Sequence, residues 1–126
     1  MAHYERLLGR HARLETLELP ESDPEREGEA ILKRVPADSY VCVLDREGRT
    51  ASSEALAGLL EERRAGGRDV SFVIGGPFGL SKAVRDRADE RISLGAITLP
   101  HQLARVVLLE QLFRAHKIVL GQAYHY

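Results

Sequence analysis

The sequence predicts an α/β fold: a mainly parallel sheet with helices on both faces. Three observations carry that expectation. Nearly continuous apolar runs at 39–45 (SYVCVLD), 69–76 (DVSFVIGG) and 92–100 (ISLGAITLP) have the composition of strands covered on both faces. Helix-like stretches separate them at about the 10–15-residue spacing of βα units. The chain has 126 residues and no internal repeat, low-complexity tract or linker, so 1–126 reads as one domain built on a single core.

Taken in order, residues 4–11 (YERLLGRH) are expected to form a short helix. The next stretch, 12–20 (ARLETLELP), sets Leu14, Leu17 and Leu19 among polar residues and stops at Pro20. A helix should then open with Asp23 as N-cap, Pro24 at its first position and acidic residues in its first turn. After the first apolar strand, the serines at 52 and 53 cap a helix that ends at the glycine pair Gly66 and Gly67. The second strand is followed by a mostly polar helix over 80–91, the third by a long helix over 102–118. That last helix is apolar around most of its circumference, through Val106, Val107, Leu108, Leu109, Leu112 and Phe113. Such a helix is covered on most sides, either by its own sheet or by a partner surface, most economically a two-fold homodimer.

Composition excludes several classes. The chain is 44 % apolar and 29 % charged with net charge −1, an ordinary globular balance with no polyanion-coating character. Charge is nonetheless uneven: residues 1–76 carry 11 basic against 15 acidic residues, whereas 77–126 carry 7 against 4. The C-terminal part could therefore face phosphates, although solvated helices explain the same excess. No stretch is long and apolar enough to span a membrane and no signal-peptide core opens the chain, so a cytoplasmic protein is expected. Cys42, the single cysteine, lies inside an apolar strand and reads as a buried structural thiol.

Both strand exits, IGGPFGLS and GAITLP, are rich in small residues and proline. Neither is a phosphate loop. Lys82 follows Ser81 rather than a glycine, so the Gly-Lys-Ser/Thr ending is missing; Gly75 and Gly76 are adjacent, which breaks Gly-x-Gly-x-x-Gly. Their backbone could grip a small ligand such as an adenosine, or the segments could be tight turns. His3, His11, His101, His116 and His125 show no metal-ligand spacing, and no metal is expected. A Gly-x-Ser-x-Gly nucleophile elbow is absent. The tail ends in Tyr124, His125 and Tyr126, residues that fray in many proteins but could also stack a base and move a proton.

The ordered set VSFVIGGPFGLS (70–81), ISLGAITLPHQLARVVLLEQLFRA (92–115) and terminal YHY resembles the RlmH family of SPOUT-class methyltransferases. These enzymes methylate N3 of a pseudouridine in large-subunit (23S) ribosomal RNA on assembled ribosomes. The likeness runs from about residue 12 to the C-terminus. It implies a C-terminal trefoil knot, which no strand pattern would predict, S-adenosylmethionine bound in that knot, and a homodimer whose interface lies beside the pocket. Carried over residue by residue, the cofactor contacts would be Leu44, Gly76, Gly95, Ala96, Ile97, Thr98, Leu99 and Pro100. Tyr124, His125 and His101 would be the catalytic candidates. Arg105 and Arg114 would meet RNA phosphate, although Arg114 could instead pair with Glu110 at helical spacing.

Two positions depart from the family pattern. Family members open with an apolar strand ending in Gly-Lys ahead of the first helix. This chain begins Met1-Ala2-His3-Tyr4, within that helix, and is expected to lack the family's first strand. Tyr126 stands where many members carry a basic residue. The alternative reading is a non-catalytic, truncated cofactor- or RNA-binding dimeric module. A protein using a different adenosine ligand is disfavoured by the missing phosphate loop.

Overall fold

The computed structural model describes residues 2–8, 13–19, 22–50, 52–75, 79–93 and 101–119. In chain order the elements are β1 (Ala2–Leu8), β2 (Arg13–Leu19), α1 (Pro24–Arg34), β3 (Tyr40–Thr50), α2 (Ser53–Ala65), β4 (Val70–Ile74), α3 (Lys82–Arg87), β5 (Glu90–Ser93) and α4 (His101–Val119). The strands form one sheet in the order β2-β1-β4-β3-β5. Its β4-β3-β5 part is parallel, as the βα spacing predicts, with Val43 opposite Val73 and also opposite Arg91.

Alternation along the parallel strands divides two cores. Val41, Val43 and Val73 point to one face, where they meet Ile31 and Val35 at the α1 end and Val84 of α3. Cys42, Val70, Phe72, Ile74 and Ile92 point to the other, against Leu56 and Leu59 of α2 and Leu108, Leu112 and Ala115 of α4. Helices thus cover both faces, and Val41–Val43 of β3 and Val70–Ile74 of β4 are buried on both sides.

The helix ends follow local chemistry. Asp23 caps α1 by accepting the Arg26 N–H at 3.0 Å, with Pro24 leading the first turn. Glu27, only 3 % exposed, reaches back to accept the Ser22 N–H at 3.1 Å, satisfying a second donor at that end. Ser52 caps α2 by accepting the Ala55 N–H. The other end of α2 closes with Gly67 at φ +73° and the Arg68 N–H bonded to the Arg63 carbonyl at 2.9 Å. A left-handed residue followed by this six-to-one bond ends helices because only glycine adopts that φ without strain.

Two expectations need correction. The helix expected over 4–11 is contradicted at residues 4–8, 9–11 lying outside the described residues: Ala2–Leu8 is a strand, antiparallel to β2 over Ala2–Leu8 and Arg13–Leu19, and antiparallel to β4 with His3 opposite Ile74. The edge of β4 would otherwise present a row of unpaired N–H and C=O groups, and pairing with them outweighs the helical periodicity of a short segment. The sheet is accordingly mixed, with an antiparallel hairpin added to its parallel part. The helix expected over 80–91 is likewise confined to Lys82–Arg87. Asp89 is drawn into the sheet, donating its N–H to the Val41 carbonyl and accepting the Val41 N–H on its carboxylate, both at 2.8 Å. Glu90 and Arg91 then begin β5.

Candidate functional site

Because β4, β3 and β5 are adjacent and parallel, their carboxyl ends open on one edge of the sheet. Ligands of open α/β sheets collect beyond that edge. Three chain segments leave there: Gly75 after β4, the stretch after Leu44 in β3, and Ser93 at the end of β5.

The β4 exit forms a narrow neck. A Cβ placed on Gly75 would lie 2.8 Å from Leu80 Cδ2 and 3.0 Å from the Gly79 carbonyl oxygen, and Gly79 has φ +86°. Glycine at 75 lets the two sides of the loop touch, and glycine at 79 supplies the left-handed turn. Ser81, immediately beyond, is buried and caps α3 by accepting the Val84 N–H at 3.3 Å. Leu44 is half-buried against the core shared with α2 and α4, level with Ile92 of β5. Beyond it β3 makes a wide bulge. Leu44 and Arg49 both stand opposite Ile92, and residues 45–48 loop out between them before Thr50 pairs with Ser93. Sequence reading passed over Asp45 and Gly48 in this bulge; an Asp-x-x-Gly turn directly after an apolar run was the signal that could have found them.

The amino ends of the same strands look different. Tyr40 donates to Glu90 at 3.3 Å, Glu90 also pairs with Arg49, and the Arg63 guanidinium stacks 3.9 Å from the Tyr40 ring centre. Arg68 and Arg87 both bond the Ser39 carbonyl, and Ser39 in turn meets Ser71 at 2.9 Å. Burial and the neighbouring Glu90 hold the Tyr40 phenol above its ordinary value. Cys42, wholly buried and 4.0 Å from Glu90, is pushed up to about 12 by burial first and by Glu90 and Asp89 next. This end staples the α1–β3 turn, and the thiol is locked in its neutral form.

Of the residues singled out in the sequence, Leu44 lies at the carboxyl edge. Gly76, Gly95, Ala96, Ile97, Thr98, Leu99 and Pro100 lie outside the described residues, as do Tyr124, His125 and Tyr126. The residues on which the expected knot depends therefore lie outside them as well. The segment 94–100 nevertheless joins Ser93 at this edge to the start of α4 at His101. Arg105 is half-buried on α4, and Arg114 donates to Glu110 at 2.8 Å, the helical pair. On the same helix Leu103, Val106 and Phe113 are 48 %, 57 % and 54 % exposed, on the side opposite the Leu108–Leu112 core face. Among the described residues, no group of three or more His, Cys, Asp or Glu could hold a metal, and no helix is long and apolar enough to cross a membrane.

A mixed α/β sheet whose parallel strands end on one edge, with glycines at the β4 exit and a long helix packed on one face, is an arrangement shared by many enzymes, and comparison with known proteins narrows it. The family model described as "Predicted SPOUT methyltransferase" matches residues 1–125, and the chain belongs to that family of enzymes. Within it, the chain belongs to the ribosomal RNA large subunit methyltransferase H (RlmH) family. It is 52 % identical over 135 residues to the protein of that name from Rubrobacter xylanophilus, covering 98 % of this chain and 85 % of the relative. The Listeria monocytogenes serotype 4a protein is 43 % identical over 139 residues, covering 99 % and 87 %. The Thermotoga neapolitana protein is 40 % identical over 131 residues, covering 98 % and 87 %.

Proposed function

We propose that this chain transfers a methyl group from S-adenosylmethionine to N3 of a pseudouridine in 23S ribosomal RNA, acting in the cytoplasm on assembled ribosomes. The observation that carries the proposal is the convergence of the β4, β3 and β5 exits on one edge. They bring Leu44 to the same edge as Gly75 and Ser93, the residues that precede Gly76 and 94–100 in the chain. Gly79 at this exit fits such a cofactor: an added Cβ there would meet nothing within 4 Å among the described residues, and open backbone without a side chain can lie flat against a nucleoside.

The cofactor, when bound, supplies an activated methyl on a sulfonium, so the protein needs neither a metal nor a covalent intermediate. The chain's task is to hold the base in line and keep water out. It must also remove the N3 imide proton, for which His125 is assigned, with His101 second. Tyr124 stacks or hydrogen-bonds the base. Arg105 contacts RNA phosphate; Arg114 is assigned the same role, reached from its pair with Glu110. Threading of the C-terminal segment as a trefoil knot completes the pocket. The exposed Leu103, Val106 and Phe113 face of α4 seats a second copy, giving a homodimer.

Ribosomes lacking the modification, incubated with radiolabelled S-adenosylmethionine, test the reading. Label in 23S RNA at N3 of one pseudouridine is expected, and Tyr124→Ala with His125→Ala should abolish it while cofactor binding persists. Binding without transfer by the unaltered chain would leave the non-catalytic module instead.

A further inference from the structure

The bulge in β3 has a geometry that a plain strand ending would not require. Its two ends are tied to the same strand. At its first residue, the Asp45 carboxylate lies 3.5 Å from Arg91 Nη1; just after it, Arg49 pairs with Glu90. Inside it, Asp45 Oδ1 accepts the Glu47 N–H at 3.0 Å, fixing the turn. Its last residue, Gly48, lies flat against β5. A Cβ there would stand 2.7 Å from the Arg91 carbonyl carbon, 2.8 Å from its oxygen and 2.8 Å from the Ile92 nitrogen. All three are backbone atoms, so no side-chain rotation relieves the clash. Either the 91–92 peptide moves or the bulge lifts away, opening the Thr50–Ser93 pair.

Ser93 is the last residue before 94–100. The peptide that Gly48 braces therefore ends at Ile92, three residues upstream of Gly95, the first residue of that segment assigned to the cofactor. We infer that Gly48 is a positioning residue for the methyl-donor pocket, and that the Asp45–Gly48 bulge fixes the direction in which the chain leaves β5. This rests on the cofactor reading above. Neither residue needs to touch the cofactor. A displacement of the β5 exit would misplace every main-chain group that follows it.

The test is calorimetric titration of the full chain with S-adenosylhomocysteine, at a temperature where circular dichroism shows each protein native. Gly48→Ala is expected to weaken binding by about tenfold or more. A merely structural role would lower the melting temperature and leave the affinity of the folded protein unchanged. Native Gly48→Ala protein that binds as tightly as the unaltered chain overturns the inference. If Gly48→Ala does not fold, Asp45→Ala decides, because the change lies outside both cores. Weakening of about threefold, recovered by Asp45→Asn, which keeps an acceptor for the Glu47 N–H, supports the role. Equal affinity for Asp45→Ala refutes it. Failure of the unaltered, folded chain to bind is a different result: it removes the cofactor reading and this inference with it.

Discussion

Replacing Cys42 by alanine should invert the stability order of the two proteins between neutral and alkaline pH. The thiol is fully buried beside Glu90, and its value rises from 9.0 to about 12, with burial the first cause. The folded chain therefore keeps this proton up to about pH 12, whereas the unfolded chain releases it near pH 9. Between those values the unfolded state binds fewer protons, so stability falls as pH rises. The contribution is complete below pH 9, declines by about 1.4 kcal/mol per pH unit above it, and is exhausted near pH 12. At pH 10.5 the unaltered chain should have lost about 2 kcal/mol by this route. Cys42→Ala removes the group and leaves a small void costing about 1 kcal/mol at pH 7.5. The variant should thus be less stable by about 1 kcal/mol at pH 7.5 and more stable by a similar amount at pH 10.5. Tyr40, also held above its ordinary value mainly by burial, is present in both proteins and largely cancels. Urea unfolding at the two pH values gives the comparison. Parallel pH profiles for the two proteins would refute the reasoning.

Leu108→Ala, at a fully buried position of α4, should cost about 2–5 kcal/mol in denaturant unfolding; a loss below about 1 kcal/mol would mean that α4 is not packed on this core. A Cβ on Gly28 would come within 2.3 Å of Ser81 Oγ, the cap of α3. Gly28→Ala should therefore displace that hydroxyl and destabilise by about 1–2 kcal/mol, read as a lower urea midpoint; an unchanged or higher midpoint would contradict the contact. Phe113→Asp, on the exposed side of α4, should convert a dimer to a folded monomer in sedimentation velocity, whereas an unchanged sedimentation coefficient would remove that face from the interface.

Where structure is set by neighbours in sequence, the sequence was readable. Asp23 followed by Pro24 marks the start of α1, and the glycine pair marks the end of α2, because caps need only the residues at hand. The runs around Val41–Val43 and Val70–Ile74 announce strands buried on both sides, and both are. Misreadings arose where distant partners decide. Residues 2–8 resemble a helix locally but meet β4 some seventy positions away, with His3 opposite Ile74. The end of α3 is set by Asp89, whose bonds to Val41 span nearly fifty residues. The bulge after Leu44 was only half legible: Asp45 and Gly48 signal a turn, but its seat against Arg91 and Ile92 is set across the sheet. At the site, Leu44 was legible only through family resemblance. No local pattern distinguishes an apolar residue at a strand end that faces a ligand from one that merely packs.

The account stands on the carboxyl ends of β4, β3 and β5 forming one cofactor site, and chemical-shift mapping tests that directly. Isotope-labelled chain titrated with S-adenosylmethionine should show saturable shifts concentrated at Leu44, Gly75, Gly79 and Ser93, with Tyr40 and Val70 at the opposite edge unmoved. Shifts clustered at that opposite edge, or none in a chain whose spectrum is folded, would contradict the account.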